Sequence, residues 1–120
     1  MSEQRVFIFD NIAPVEVQMR GGSGKGLSRK LFDPAGKVPG SPFTAASVTI
    51  LPPGASVGVH RHEGDAEVYI VMGGSGLYTN KDGEKVRLKA GDVAFCYDGE
   101  IHGMENDGEE PLLMAGIIAK

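Results

Sequence analysis

Short apolar runs separated by glycine and proline constrain this chain more than any other feature. The 120 residues include 18 glycines and 7 prolines, and no window of roughly 11 or more residues shows a helical stripe. The runs are rich in the β-branched and aromatic residues that favour strands. They are Val6–Phe9, Ala45–Leu51, Glu67–Met72, Gly76–Thr79, Lys85–Leu88, Val93–Tyr97 and Leu112–Ile118. The pattern predicts an all-β sandwich or barrel.

Turn residues between these runs predict two hairpins. Asp82-Gly83 is a strong hairpin turn signal, and it lies between the runs 76–79 and 85–88. The segment 106–109 similarly separates a strand that begins near Ile101 from the closing apolar run. We therefore predict one hairpin at each of these two turns.

Residues 20–42 are rich in glycine, proline and basic residues, and they are predicted to form a long connection. A phosphate-binding loop is excluded there, because Met19 and Gly26 stand where that loop needs glycine and Ser or Thr. The alternative is a lid whose basic residues face an anionic substrate. Those residues would be Lys25, Arg29 and Lys30.

Charge and cysteine content exclude two classes of protein. The formal net charge is −4, whereas non-specific nucleic-acid binders need a basic footprint. The single cysteine, Cys96, excludes an intrachain disulfide framework and a thiolate zinc cluster. The N-terminus lacks a leader pattern, and no apolar stretch approaches the roughly 20 residues that cross a bilayer. We expect a cytoplasmic protein of one domain, residues 1–120, without nucleic-acid or membrane partners.

Three histidines, His60, His62 and His102, carry the chemistry of the sequence. Residues two apart in a strand point to the same face, so the rings of His60 and His62 are expected to converge. Acidic residues follow at once, at Glu63, Asp65 and Glu67. Two neighbouring imidazoles, a nearby carboxylate and a third imidazole from a distant strand predict a divalent transition-metal site.

Which carboxylate joins the histidines depends on the parity of the strand. Glu67 lies five residues after His62, and an uninterrupted strand would place it on the opposite face. The insert 63–65 is able to reset that parity through a turn or bulge. Glu67, Tyr69 and Val71 would then share the ligand face. Residues 63 and 65 are expected to be solvated turn residues, and the alternative is that one of them ligates or acts beside the metal.

Two motifs in this region resemble those of the cupin family. The first comprises Gly54, five residues, His60-Arg61-His62, four residues, Glu67, six residues and Gly74. The second comprises Gly91, six residues, Asp98-Gly99, two residues, His102, three residues and Asn106. The second departs from the family pattern at Tyr97, where a proline is usual. The resemblance runs from residue 54 to residue 106, nearly half of the chain.

The resemblance implies a double-stranded β-helix, or jelly roll, with this motif core preceded by an N-terminal strand and the long connection (1–44). It implies that His60, His62, Glu67 and His102 hold one divalent metal ion, with positions left open for water or substrate. Manganese, iron, nickel and zinc all suit such ligands. The reasoning from the residues alone agrees on the three histidines, and on Glu67 only if the parity is reset.

Other side chains near the predicted site are assigned by alternation. Tyr69, Phe95 and Met104 are expected to pack in the barrel interior, with Tyr69 and Glu67 as the candidate catalytic residues. Tyr69 would orient a substrate or act as an acid. Cys96 would lie on the face opposite to Phe95, as a small buried hydrophobic residue away from the metal.

These features favour a metal-dependent enzyme acting on a small organic substrate such as a sugar, sugar acid, carboxylate or small aromatic. Isomerase, lyase, decarboxylase and dioxygenase chemistry all occur on cupins, and the fold does not choose among them. A non-catalytic ligand-binding or sensing module ranks second, and a structural role ranks last because buried ligands without metal cost stability. A homodimer is expected, with the apolar run 6–9 covering a partner's sheet edge.

Overall fold

Ten strands make up the part of the chain that the computed structural model describes, residues 5–32 and 39–120. A short 3₁₀ helix, Phe9–Asn11, precedes them. The strands are β1 (Val15–Val17), β2 (Gly26–Phe32), β3 (Phe43–Leu51), β4 (Ser56–Arg61), β5 (Ala66–Gly73), β6 (Ser75–Thr79), β7 (Lys85–Lys89), β8 (Val93–Cys96), β9 (Ile101–Glu105) and β10 (Leu112–Ala119). Within those residues, no helix has the length and apolar character needed to span a membrane.

The strands form two antiparallel sheets. One sheet has the order β1-β2-β3-β10-β5-β8, and the other has the order β4-β9-β6-β7. The chain therefore crosses from one sheet to the other between β3 and β4, and crosses back before β5. The predicted all-β double-stranded β-helix is confirmed.

The hydrophobic core lies between the inner faces of the two sheets. Strand β5 shows how the faces are set, because Tyr69 and Val71 are buried while Met72 is exposed. The remaining core residues come from both sheets and from the turn before β4: Leu51, Ala55, Val57, Tyr78, Met104, Leu112 and Met114. Tyr69 and Met104 thus pack inside, as predicted.

The N-terminal region differs from the prediction in two ways. Residues 5–8 have no regular secondary structure instead of a strand. Asp10 and Asn11 favour a turn, and the amide of Asn11 donates to the carbonyl of Ile8 over 3.0 Å. The predicted connection 20–42 contains β2, which pairs with both β1 and β3. Its remaining part includes residues 33–38, which lie outside the described residues.

One of the two predicted hairpins is confirmed. β6 and β7 pair in register from Ser75 opposite Lys89 to Thr79 opposite Lys85, so the turn 80–84 closes a hairpin. The second prediction is wrong, because β9 and β10 belong to different sheets. The turn signal at 106–109 therefore marks a crossing between the sheets. A turn signal alone does not distinguish these two outcomes.

The faces of β8 are reversed relative to the prediction. Phe95 is 59% exposed and stacks on Tyr97, with ring centroids 6.0 Å apart. Cys96 is buried, and its backbone pairs with Glu67 of β5. Directly paired residues share a face of the sheet, so Cys96 lies on the inner face with Glu67.

Candidate metal centre

Two neighbouring strands bring the three histidines together. His60 in β4 is paired with His102 in β9. His62 follows the end of β4, where its amide donates to the carbonyl of Glu100 over 3.0 Å. The Nε2 atom of His102 lies 3.1 Å from that of His60 and 3.0 Å from that of His62.

Glu67 reaches the same point from the opposite sheet. Gly64, with a φ of +81°, lies in the turn between β4 and β5, and its amide donates to the carboxylate of Asp98 over 2.8 Å. After this turn Glu67 of β5 points inward, so the turn resets the parity of the strand and brings Glu67 to the face of the histidines. Its Oε1 atom lies 3.1 Å from the Nε2 atoms of both His62 and His102. The four predicted ligand residues form one cluster, with donor atoms within 4.8 Å of one another.

The turn before His102 closes without the proline that the cupin motif usually has. The amide of Tyr97 donates to the Glu100 carboxylate over 2.8 Å, and the carbonyl of Tyr97 accepts from the amide of Glu100 over 3.0 Å. A proline at position 97 has no amide hydrogen for the first bond. The departure from the motif therefore replaces ring stiffness by a hydrogen bond and leaves His102 in place.

Each histidine ring is oriented by a partner outside the cluster. The Nδ1 atom of His60 lies 2.7 Å from the carbonyl of Gly58, and that of His62 lies 2.7 Å from the carboxylate of Asp65. These oxygens only accept, so both Nδ1 atoms carry the proton and both Nε2 lone pairs point into the cluster. The Tyr78 hydroxyl lies 3.4 Å from Nδ1 of His102.

The donor set fits a divalent transition metal. The Nε2 atom of His102 lies 3.1 and 3.0 Å from those of His60 and His62, so one ion is able to contact all three rings. Ligand bonds of about 2.1 Å place neighbouring donors about 3.0–3.4 Å apart. Four donor separations in the cluster are 3.0–3.1 Å, which suits binding of a single ion. The chain thus has a cluster of three histidines and one glutamate able to hold one metal ion.

Burial controls the protonation of the groups around the cluster. Burial lowers the pKa of His60 from its ordinary value, and this outweighs the opposing effect of the hydrogen bond to Gly58. Burial raises the pKa of Tyr69 well above its usual range, with a further contribution from the Glu67 charge. Burial also raises the pKa of the Cys96 thiol to about 11. The tyrosine and the thiol therefore keep their protons at neutral pH.

A cavity of about 280 Å³ opens above the cluster, and His60, Glu67 and Tyr69 line it. Tyr69 is only 4% exposed, and its ring stacks on that of His102 with centroids 4.4 Å apart. None of the described residues forms a hydrogen bond with the Tyr69 hydroxyl. A small molecule in this cavity has access to the metal cluster and to Tyr69.

The basic residues weighed as a lid have different positions. Lys30 lines the cavity. Arg29 does not, because its Nε donates to the carbonyl of Ile12 over 3.0 Å and its guanidinium covers the Phe9 ring. Lys25 lies 4.0 Å from the Glu16 carboxylate. Of these three residues, Lys30 is the one that lines the cavity, and it does so from strand β2 of the sheet.

Sequence reasoning missed two residues of the site. Arg20 lines the cavity, but in the sequence it is marked only by the glycines that follow it. Tyr78 touches His102, and the alternation of β6 offered a signal, since Gly76 and Tyr78 are the buried positions of that strand. Asp65 was considered as a residue that acts beside the metal, and its carboxylate contacts Nδ1 of His62.

Residues 47–118 match the cupin domain family, and the chain belongs to that family. It is 46% identical to the oxalate-binding protein of Thermotoga maritima over 68 residues, 57% of this chain and 55% of that protein. It is 35% identical to gentisate 1,2-dioxygenase of Ralstonia sp. over 69 residues, 58% of this chain and 19% of that enzyme. The chain thus spans about half, or less, of the length of these curated relatives.

Among solved structures, the chain is similar to that of a predicted oxalate decarboxylase from Thermotoga maritima. The TM-score is 0.88 at 34% identity, covering 96% of this chain and 98% of the other. The resemblance read from the two sequence motifs is confirmed. The relatives include proteins named as enzymes and one named for binding alone.

Proposed function

We propose that this cupin is a metal-dependent enzyme acting on a small carboxylate. The observation that carries the proposal is that the cluster of three histidines and one glutamate opens to a cavity of about 280 Å³, a volume suited to a molecule of a few carbon atoms. A curated relative and a solved structure, both from Thermotoga maritima and both named for oxalate, support the carboxylate class. Sugars, sugar acids and small aromatics are the other substrates that the sequence analysis considered.

The residues proposed to hold the metal are His60, His62, Glu67 and His102. Manganese, iron, nickel and zinc are the candidate ions, because imidazole and carboxylate donors suit all four. A divalent ion in this position supplies Lewis acidity to a bound carboxylate. Glu67 contributes a negative charge that partly offsets that of the ion.

Tyr69 is the proposed catalytic residue beside the metal ligands. Its raised pKa keeps the hydroxyl protonated at neutral pH, so it acts as a hydrogen-bond donor and not as a base. The carboxylate oxygen of a bound ligand is a suitable acceptor. Tyr69→Phe is expected to keep the metal and to lose most of the activity.

Elemental analysis of tag-free protein, purified without chelator, tests the metal site. We expect near-stoichiometric metal in the wild type and none in a variant with both His60→Ala and His102→Ala. Tyr69→Phe is the control, because it alters the cavity and leaves the four ligands in place. A wild type that neither contains nor takes up metal would overturn the proposal, and metal retained in the double variant would show that the ligands are wrongly assigned.

A non-catalytic binding module is the second candidate, favoured by the relative named as an oxalate-binding protein. The two candidates differ in the fate of the ligand. Metal-loaded protein is incubated with oxalate, in air and without oxygen, and the remaining oxalate is quantified by chromatography. Consumption that depends on the metal supports the enzyme, whereas quantitative recovery of bound oxalate supports the binding module.

The homodimer and the cytoplasmic location stay predictions. Val6 and Ile8 of the apolar run are more than half exposed, which agrees with a role in covering a second copy. Light scattering measures the mass directly. A monomer across the micromolar range would contradict the dimer.

A further inference from the structure

The cavity above the metal cluster has a second, cationic end formed by Arg20 and Lys30. Lys30 of β2 is paired with Ser47 of β3, Ser47 with Gly116 of β10, and Gly116 with Tyr69 of β5. These four residues and Arg20 all line the cavity. The row crosses three strand spacings, so the backbones of Lys30 and Tyr69 lie roughly 14 Å apart. The same cavity is therefore lined by residues of the metal cluster and by two positively charged residues.

Backbone hydrogen bonds fix the turn that presents Arg20. The carbonyl of Met19 accepts from the amides of Gly22 and Gly58, both over 2.9 Å. Gly58 lies in β4, two residues before His60, so the turn is attached to the strand that carries a predicted ligand. Arg20 has a φ of +53°, and it is the one non-glycine residue with positive φ among the described residues. Such strain persists where the surrounding structure holds the residue.

The charges of Arg20 and Lys30 are available to a ligand. Across the described ranges, neither side chain forms an ion pair or a side-chain hydrogen bond, whereas Arg87 binds both carboxylate oxygens of Asp107 at 2.7 Å. Arg20 lines the same cavity as His60 and Tyr69. A guanidinium pairs with a carboxylate through two parallel hydrogen bonds.

We propose that Arg20, with Lys30 beside it, binds the second carboxylate of the ligand and makes the site selective for small dicarboxylates over monocarboxylates. The inference rests on the proposed function, because the first carboxylate is assigned to the metal cluster. A dicarboxylate has one carboxylate for the metal cluster and a second one for Arg20. A monocarboxylate bound at the metal cluster leaves Arg20 without a ligand partner.

Calorimetric titration of manganese-loaded protein with oxalate, malonate and acetate tests the role of Arg20. For Arg20→Gln we expect unchanged metal content, a rise of about tenfold or more in the Kd of the dicarboxylates that the wild type binds, and less than a twofold change for acetate. Arg20→Gly gives the same loss of charge with a residue that suits positive φ. Lys25→Gln is the matched control, since it removes one charge from the same segment outside the cavity.

The other possible binding results contradict different parts of the proposal. Unchanged dicarboxylate affinity in both Arg20 variants overturns the role of Arg20. Equal weakening of dicarboxylates and acetate overturns the selectivity and indicates a general attraction of anions. A metal-loaded wild type that binds neither oxalate nor malonate overturns the dicarboxylate class and leaves the metal site standing. A wild type that binds no metal overturns the proposed function, and this inference with it.

Discussion

At the scale of single residues, Gly116 makes room for the Glu67 carboxylate. A Cβ atom at position 116 would lie 2.8 Å from Oε2 of Glu67, closer than van der Waals contact allows. Gly116→Ala is therefore expected to displace that carboxylate and to weaken metal binding about tenfold, as changes next to a ligand do. Competition with a chelator of known affinity measures the effect.

Gly73→Ala is the matched control for Gly116→Ala. A Cβ atom at position 73 would meet only Cβ of Leu113, at 3.6 Å, so its metal affinity is expected to equal that of the wild type. Wild-type affinity in Gly116→Ala would contradict the expected effect of displacing the Glu67 carboxylate. Equal losses in the two variants would point to a general effect of alanine on the sheet.

Asp65 is the residue that orients His62, since its carboxylate accepts the Nδ1 hydrogen over 2.7 Å. Asp65→Ala removes this acceptor and frees the ring to rotate, so metal affinity is expected to fall about 10- to 100-fold. Asp65→Asn keeps an acceptor without its charge and is expected to show a smaller loss. The same chelator competition measures both variants.

Glu63→Ala provides the comparison for Asp65, because Glu63 is an exposed acidic residue of the same turn. Its removal lowers the local negative charge equally, and we expect metal affinity within about twofold of wild type. Similar losses for Glu63→Ala and Asp65→Ala would mean that charge, and not the orientation of His62, supports the site.

The four candidate ligand residues were accessible from the sequence, whereas among their supporting partners Asp65 was considered there and Tyr78 was not. The spacing of His60 and His62 and the turn before Glu67 follow from strand periodicity. The contact between Tyr78 and His102 depends on how β6 pairs with β9. Pairing between distant strands has no local signal in the sequence. The candidate ligands could therefore be predicted, and the contact between Tyr78 and His102 could not.

At the scale of elements, alternation predicted the strands whose two faces differ in polarity or size. β2 was missed because Ser28 and Lys30, which line the cavity, are polar and give no apolar stripe. The faces of β8 were reversed because Phe95 and Cys96 are both apolar. Only the pairing of Glu67 with Cys96 settles which of them points inward.

Asn106 fastens the crossing between β9 and β10 to the core, and it is only 2% exposed. Its Nδ2 donates to the carbonyls of Leu51 and Glu110 over 2.9 and 2.8 Å, and its Oδ1 accepts from the amide of Gly108. Asn106→Asp turns two donated bonds into contacts between oxygens and buries a carboxyl group. We expect a loss of about 3 kcal/mol in the free energy of unfolding, measured by urea denaturation.

Asn80→Asp is the control for this substitution, because the side chain of Asn80 mainly accepts hydrogen bonds. Its Oδ1 receives the amides of Asp82 and Glu84 over 2.9 and 3.0 Å, and a carboxylate accepts both equally well. The expected change is below about 1 kcal/mol. Equal losses in the two variants would show that the loss does not come from the direction of the hydrogen bonds at Asn106.

At the scale of the whole molecule, the metal cluster exists only when both sheets are in place. His60, His62 and His102 belong to one side of the barrel, and Glu67 comes from the other sheet. Folding therefore gathers three imidazoles that water would otherwise solvate, and burial lowers the pKa of one of them, His60. The stability of the metal-free protein is thereby linked to pH.

The pKa of His60 gives the sign of that dependence. Its folded-state pKa is lowered from the ordinary value of 6.5, so between these two values the unfolded chain binds more protons than the folded one. The stability is fully present above the unfolded pKa and is lost as the pH falls from there through the folded pKa. Metal-free wild type is therefore expected to unfold at lower urea concentration at about pH 5.5 than at about pH 7.5.

His60→Gln separates this contribution from the general effect of acid, because glutamine keeps a polar side chain that does not titrate. We expect the difference in urea midpoint between the two pH values to be smaller in His60→Gln than in wild type, at an unchanged slope of the unfolding transition. An identical difference in both proteins would remove His60 as its source. A larger difference would mean that folding raises the pKa of His60, contrary to the direction expected here.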